Sequence, residues 1–282
     1  MNVFVTKESP AKINLILKVL GKRDDGFHEI ASLMQRIDLH DDMSFALAGQ
    51  GIALRCTGIP VPENSKNIVY RAAELFMQKT GRPSGVSIEI EKRIPTAAGL
   101  GGGSSNAATT LLALNELTSA GLDRDTLMAM GASIGSDVPF FIYGKAAWAF
   151  GRGERLEAAE NIPPISLLVC NPGVPLATAE VYGNLRIGLT NEPIQYTIPR
   201  LQTVQQVARA LENDLEEVSE SLCPAIRDLK TSLADLGALG VLVSGSGPTV
   251  FGIFETREDV LAAGERLKTG MGVPFVAGAG SL

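Results

Sequence analysis

The alternation of apolar and polar residues predicts a β-strand near the beginning of the chain. Every second residue from 11 to 19 is apolar, which favours a strand with one buried face. Lys12 and Asn14 then share the opposite face, about 7 Å apart along the strand. A solvated lysine on an edge strand would give the same pattern. From the alternation alone, both interpretations of Lys12 stay open.

Helical and strand periods alternate through the rest of the first half. Helices are predicted over residues 67–79, before Gly81, and from about Arg124 to Ile134, with Asp123 as N-cap. Between them, residues 86–91 alternate between apolar and polar, which indicates a half-buried strand. Residues 146–157 have the pattern of a strand and a turn.

A break at residues 161–164 predicts a boundary between two domains, 1–160 and 161–282. After it we expect a strand over 165–170, a hairpin of strands 241–243 and 250–253, and a last helix behind a capping box at 256–259. This order indicates an α+β half of ferredoxin-like character. An apolar stripe also predicts one helix that Gly237 ends, formed by Leu222, Ile226, Leu229, Leu233 and Leu236.

A glycine-rich loop is the strongest chemical signal in the chain. An apolar, helix-forming run follows it, with Ser104 or Ser105 as the expected N-cap and with residues 107, 108, 111 and 114 on one face. Backbone N–H groups of such a loop and of a helix N-terminus can bind a phosphate group. The loop comprises Pro95, Thr96, Ala97, Ala98, Gly99, Leu100, Gly101, Gly102, Gly103, Ser104 and Ser105.

Two well-known glycine motifs do not fit this loop. No lysine follows it, as the P-loop pattern requires, and the run from Gly99 to Ser104 lacks the last glycine of the dinucleotide-binding fingerprint. A mobile linker is the remaining alternative, but linkers seldom run directly into a capped helix. We therefore expect a phosphate-binding loop of another class.

The composition of the chain limits the kinds of molecule that it is expected to bind. The chain has 282 residues and a net charge of −6, which argues against general binding to nucleic acids or membrane surfaces. An anionic substrate would need local basic residues, which Lys12, Lys18, Lys22 and Arg23 could supply. The three cysteines form no CxxC pair and, with two histidines, do not indicate a metal site. The sequence has neither a signal peptide nor a long apolar run, so we expect a cytoplasmic protein with reduced thiols.

Three separated motifs together resemble the GHMP kinases, a family named for galactose, homoserine, mevalonate and phosphomevalonate. They are PAKINL at residues 10–15, the loop at 95–106, and SGSGPT at 244–249. Further likenesses are GKRDDGFHE at 21–29, GSDVP at 135–139 and NDLE at 213–216, so the resemblance covers nearly the whole chain. Phe27 stands where a tyrosine is more usual, which keeps ring stacking but removes a phenol hydrogen bond.

The resemblance implies a two-domain GHMP-kinase fold, with an N-terminal α/β domain that carries the phosphate loop, a C-terminal ferredoxin-like α+β domain, and the active site in the cleft between them. It implies phosphoryl transfer from ATP, accompanied by Mg²⁺, to the 2-hydroxyl of a CDP-linked methylerythritol, in isoprenoid precursor synthesis. Lys12 and Asp137 are implied as the catalytic pair and residues 95–105 as the ATP site. The implied substrate-binding residues are Asn14, Phe27, His28 and Tyr182.

Other interpretations stay open. A sister kinase acting on a small alcohol would not need Phe27, His28 or Tyr182 for base stacking. A nucleotide-sensing or RNA-binding module is disfavoured by the acidic pI and by the lack of an aromatic RNP-like strand. Taken singly, Asp137 could be a helix cap, His28 a turn residue and Tyr182 a half-buried helix residue. We expect a small-molecule substrate, no nucleic-acid or membrane partner, and a monomer or weak homodimer.

Overall fold

The computed structural model describes residues 4–186 and 196–282. Within these ranges, no helix is long and apolar enough to cross a bilayer. The strands are β1 (Phe4–Lys22), β2 (His28–Leu47), β3 (Gly51–Gly58), β4 (Gly85–Lys92), β5 (Ala147–Gly151), β6 (Arg155–Ala158), β7 (Ser166–Asn171), β8 (Glu212–Asn213), β9 (Gly240–Val243), β10 (Val250–Phe254) and β11 (Phe275–Gly280). The helices are α1 (Ile68–Thr80), α2 (Gly102–Leu117), α3 (Arg124–Ile134), α4 (Val138–Tyr143), α5 (Thr178–Asn184), α6 (Val204–Arg209), α7 (Glu216–Leu222), α8 (Ala225–Asp235) and α9 (Arg257–Met271).

The described residues pack as two compact units. The first contains those of residues 1–11, 40–96 and 101–144, and the second contains those of 12–39, 97–100 and 145–282. The units are discontinuous in sequence because β1 and β2 each run from one unit into the other. The predicted domains, 1–160 and 161–282, are continuous stretches of sequence, whereas the two units are not. The domain boundary near residue 160 stays a prediction.

The first unit combines four helices with a small sheet. Strand β4 pairs with β3 in parallel and with residues 42–47 of β2 antiparallel, while α2 packs against α1, α3 and α4. The predicted bounds of α3 are confirmed, and α1 is shifted by one residue at each end because Asn67 caps the helix instead of starting it. Asn67 and Asp123 accept capping hydrogen bonds, and Gly81 ends α1 in the left-handed conformation. Helix α2 is buried on nearly every side instead of on one face, because helices surround it.

Strand β1 is longer and more buried than its alternation predicts. Every side chain from Ala11 to Leu17 is buried, on both faces of the strand. In the sheet, β1 lies between β2 and β8. The expectation of a single buried face is therefore wrong, and so is the interpretation of Lys12 as a solvated lysine on an edge strand.

The second unit contains an antiparallel sheet in the order β11-β7-β10-β9. Helices α8 and α9 pack on this sheet, and their apolar side chains share a core with Leu168 and Phe254. Strands β9 and β10 form the predicted hairpin, with Val243 opposite Val250. This arrangement confirms the α+β class predicted for the second half.

The helix predicted over residues 222–236 is two helices. Helix α7 ends at Leu222 and α8 begins at Ala225, because Pro224 lacks the N–H group that would continue the first helix. Leu222 is exposed, whereas Ile226, Leu229 and Leu233 are buried as the stripe predicts.

Candidate functional site

Lys12 and Asn14 lie side by side on one face of β1 in the second unit. Lys12 Nζ donates a hydrogen bond of 2.6 Å to Asn14 Oδ1, and the two residues are only 4% and 3% exposed. Asn14 Nδ2 donates to Ser32 Oγ at 2.7 Å, and that hydroxyl donates to Ile16 O at 2.8 Å. This chain of hydrogen bonds fixes the amide of Asn14, with its oxygen turned toward the ammonium group.

The turn between β9 and β10 reaches the same cluster. Ser244 Oγ donates to Gly99 O at 2.9 Å and accepts a longer bond, 3.4 Å, from Asn14 N. A Cβ atom placed on Gly245 would lie 3.3 Å from Asn14 Oδ1 and 3.5 Å from Lys12 Nζ. The backbone of residue 245 therefore lies directly beside the buried ammonium group.

The middle of the glycine-rich loop also contacts Lys12 and this turn. The backbone N–H of Lys12 donates to Leu100 O at 2.9 Å. Gly99 has a φ of 76°, and a Cβ atom there would lie 1.9 Å from Ser244 O. Only glycine fits position 99, because any side chain would collide with the backbone of the second turn.

Helix α2, which follows the loop, begins earlier than predicted. Its N-cap is Gly101, in the left-handed conformation, and no side chain caps it. The expectation that Ser104 or Ser105 is the N-cap is therefore wrong. The Ser105 hydroxyl instead accepts a buried hydrogen bond from Ser9 Oγ at 2.8 Å. N–H groups in the first turn of an uncapped helix are donors of the kind that bind phosphate.

Asp137 occupies the N-cap position of α4 in the first unit. Its side chain makes no capping hydrogen bond, so its interpretation as a helix cap is wrong. The turn closes through the backbone, because Val138 N donates to Gly135 O at 3.2 Å. The carboxylate is partly exposed and is not needed to start the helix.

Two of the three predicted base-binding residues come together in the second unit. The rings of His28 and Tyr182 are stacked, with their centroids 4.9 Å apart and an interplanar angle of 26°. Burial, and to a lesser degree the charge of Lys22, lowers the pKa of His28, which favours a neutral imidazole. The Phe27 ring is 53% exposed, and the Arg152 guanidinium lies over it at 4.7 Å.

The turn that carries Phe27 and His28 is held by its own charged residues. Arg23 Nη1 donates to Glu29 Oε2 at 2.6 Å, and Asp25 Oδ1 accepts from Phe27 N at 3.1 Å. The bonds of Asp25, to the Phe27 N–H first and to Arg23 second, lower its pKa against the opposing effect of desolvation. The charged residues of the GKRDDGFHE motif thus shape the turn that presents the aromatic ring.

Sequence reasoning assigns no role to Asn213, although it begins the NDLE motif. Its Nδ2 atom donates to Val243 O and Gly245 O, both at 2.8 Å, and its Oδ1 accepts from Leu215 N at 3.0 Å. Asn213 therefore ties β8 to the turn beside Lys12. The NDLE motif could have indicated a role for Asn213 from the sequence. The sequence positions of Ser32 and Ser244 give no indication that they lie near Lys12.

Within residues 4–186 and 196–282, no group of three or more His, Cys, Asp or Glu side chains is arranged to hold a metal ion.

Comparisons with known proteins match two family models and many relatives. The model described as GHMP kinases N terminal domain matches residues 67–145, and the one described as GHMP kinases C terminal matches 197–272. The 4-diphosphocytidyl-2-C-methyl-D-erythritol kinase of Syntrophus aciditrophicus is 49% identical over 89% of this chain and 90% of its own length. The enzyme of the same name from Syntrophotalea carbinolica is 47% identical over 94% of each chain.

Solved structures show the same likeness. A crystal structure of 4-(cytidine 5'-diphospho)-2C-methyl-D-erythritol kinase has a TM-score of 0.83 and 35% identity, and the match covers 98% of this chain and 99% of that one. A homoserine kinase from Cytophaga hutchinsonii has a TM-score of 0.74, covering 99% of this chain and 94% of that one, at 18% identity. The second match is evidence for the fold alone.

Proposed function

Because the chain belongs to the 4-diphosphocytidyl-2-C-methyl-D-erythritol kinase family within the GHMP kinases, we propose that it transfers the γ-phosphoryl group of ATP to the 2-hydroxyl of 4-diphosphocytidyl-2-C-methyl-D-erythritol. One structural observation carries this proposal furthest. The buried Lys12–Asn14 pair is contacted by both glycine segments, at Leu100 and at Gly245. A cation beside two glycine turns is suited to stabilising phosphoryl oxygens.

Phosphoryl transfer depends mainly on placement and charge neutralisation. In the proposed mechanism, Lys12 stabilises the charge on the phosphoryl group in transit, and Asn14 Oδ1 orients the ammonium group that does so. N–H groups of the 95–105 loop and of the first turn of α2 hold the ATP phosphates.

Asp137 orients the acceptor hydroxyl and takes its proton late. A carboxylate cannot remove a proton from an alcohol before reaction, because the alcohol is by far the weaker acid and the transfer would cost roughly 16 kcal/mol. The proton therefore leaves as the bond from oxygen to phosphorus forms. This role of Asp137 follows the family motif GSDVP.

Mg²⁺ is proposed to enter with ATP. Phosphate oxygens and water molecules would then supply most of its ligands. When bound, the ion neutralises part of the charge of the β- and γ-phosphates.

The cytosine base is proposed to bind at Phe27, His28 and Tyr182. A third ring would need about 7 Å between two others, so the base does not fit between His28 and Tyr182 at 4.9 Å. We place it against the other face of Tyr182, with Phe27 as a second stacking surface and the neutral His28 imidazole for hydrogen bonding to the base edge.

The proposal is tested by offering ATP and Mg²⁺ with four acceptors. These are 4-diphosphocytidyl-2-C-methyl-D-erythritol, its uridine counterpart, homoserine and mevalonate. Mass spectrometry should detect a phosphorylated product from the cytidine compound, with much less from the uridine one. Phosphorylation of homoserine or mevalonate in preference would show a sister kinase instead.

A further inference from the structure

A second buried polar cluster lies in the first unit, apart from the residues assigned to the reaction. Its centre is Asp41, on β2, which is fully buried. Asp41 Oδ1 accepts from Arg93 N at 2.7 Å and from Ile94 N at 2.8 Å. Its Oδ2 accepts from Lys92 Nζ at 2.5 Å and from Asn106 Nδ2 at 2.9 Å. One carboxylate thus receives four hydrogen bonds.

The four donors come from both ends of the glycine-rich loop. Residues 92–94 lead into the loop, and Asn106 follows its last residue. Asn106 Nδ2 also donates to Ser9 Oγ at 2.9 Å, and the Ser9 hydroxyl donates to Ser105 Oγ. The entrance and the exit of the loop are therefore joined through one buried carboxylate.

Lys92 supplies the charge that keeps this carboxylate in the interior. Besides Asp41, Lys92 Nζ donates to Ile94 O at 3.0 Å, so it also binds the loop entrance. A Cβ atom on Gly102 would lie 3.0 Å from Lys92 Nζ, so the start of α2 packs directly against this ion pair. An apolar pair of similar size would stabilise the core equally well, so stability alone does not explain a buried ion pair here. A buried ion pair can also select one backbone arrangement over others.

We propose that Asp41 is a positioning residue for ATP, with Lys92 as its counterion. Asp41 sets the separation between the two ends of the loop and so arranges the loop N–H groups before ATP binds. This inference rests on the proposed function, because it takes residues 95–105 as the ATP site. A loop arranged in advance binds with a smaller entropic cost, so loosening it weakens ATP binding more than binding of the cytidine substrate.

The test uses the double variant Asp41→Asn/Lys92→Met. Asparagine still accepts from Arg93 N and Ile94 N, and methionine removes an ammonium group that would otherwise stay buried without its counterion. The KM for ATP should rise about 10-fold or more, since a hydrogen bond to a charged group is lost at the loop exit. The KM for the cytidine substrate should change by less than about twofold. Titration with a non-hydrolysable ATP analogue should show the same loss of affinity.

Phe45→Leu is the matched control, because Phe45 is fully buried on the same strand and pairs with Ile88 of β4. It should lower the melting temperature and leave both KM values unchanged. If the double variant behaves like Phe45→Leu, the role of Asp41 is only structural and the inference is overturned.

Asn106→Ala decides the matter if the double variant does not fold. It keeps the Asp41–Lys92 pair and removes the bonds from the loop exit to Asp41 and Ser9, so the KM for ATP should rise several-fold with the other KM unchanged. An unchanged KM for ATP overturns the inference. If the wild-type protein transfers no phosphoryl group, the proposed function is overturned instead. The two outcomes are distinguishable because only the second concerns the wild-type protein.

Discussion

Lys12 and Lys92 are equally buried lysines whose surroundings differ. Each is 4% exposed. Lys92 donates to a buried carboxylate and to a backbone carbonyl, and burial lowers its pKa while Asp41 opposes that shift. Lys12 donates to the neutral amide of Asn14 and lies beside the backbone of Gly245.

Burial alone therefore does not distinguish the two lysines, and the groups beside them do. Lys12 lies beside the two glycine segments and a neutral amide, whereas Lys92 lies beside the start of α2 and a buried carboxylate. We therefore predict that Lys12 binds the reacting groups of the substrates and that Lys92 stabilises the protein as the counterion of Asp41.

Replacing each lysine by methionine should give the largest effects, on turnover for Lys12 and on stability for Lys92. Lys12→Met should lower kcat about 10²- to 10³-fold. Lys92→Met should lower the free energy of unfolding by about 3–5 kcal/mol, because it leaves Asp41 buried without its counterion. Steady-state kinetics and chemical denaturation measure the two effects.

Lys18→Met controls for the loss of a lysine from β1, because the Lys18 ammonium group is paired with the carboxylates of Glu212 and Asp214. Its kcat should stay within about twofold of wild type. A large fall in kcat for all three variants would remove the distinction between the lysines.

Asp137→Asn should lower kcat about 10²-fold or more, because the acceptor proton loses its base. The melting temperature should stay nearly constant, because asparagine has the size of aspartate and suits an N-cap position equally well. Near-normal turnover in this variant would refute the assignment of Asp137.

Truncating the stacking rings should have a smaller effect, confined to one substrate. Phe27→Ala or Tyr182→Ala should raise the KM for the cytidine substrate roughly 5- to 150-fold, because stacking contributes about 1–3 kcal/mol per base. The KM for ATP should change little. Phe27→Tyr is the matched control and should be nearly neutral. Unchanged kinetics in both truncations would mean that the base binds elsewhere.

The smallest predicted effect is on pH dependence. The lowered pKa of His28 means that the unfolded chain takes up this proton more readily than the folded chain. Stability should therefore fall as the pH drops below the ordinary histidine value of 6.5. Calorimetry between about pH 7.5 and 5.5 should show a smaller fall in melting temperature for His28→Gln than for wild type. Equal falls would argue against the shifted pKa.

The sequence predicts elements whose signals are local. The cap at Asp123, the capping box at residues 256–259 and the hairpin around residues 244–249 all form as expected. The i, i+2 spacing of Lys12 and Asn14 also predicts that they share a face, and the 2.6 Å hydrogen bond confirms it.

The predictions that fail depend on distant residues. Strand β1 is buried on both faces because other segments cover its polar face: Asn14 meets Ser244, 230 residues away in the sequence. Gly101 is the N-cap of α2, and the Ser105 hydroxyl instead bonds Ser9, which lies 96 residues earlier. Asp41 shows its importance only through such contacts, so no spacing rule could identify it.

The position of the new phosphate ester tests the central claim most directly. Carbon 2 of the proposed acceptor carries a methyl group and no hydrogen, so a phosphate on its oxygen has no proton three bonds away. Proton-coupled ³¹P spectroscopy of the reaction with ATP should therefore show a new phosphomonoester singlet, formed with ADP by the wild type and nearly absent with Lys12→Met. A doublet or triplet would place the phosphate on a different hydroxyl, and no new phosphomonoester signal would contradict the proposed reaction altogether.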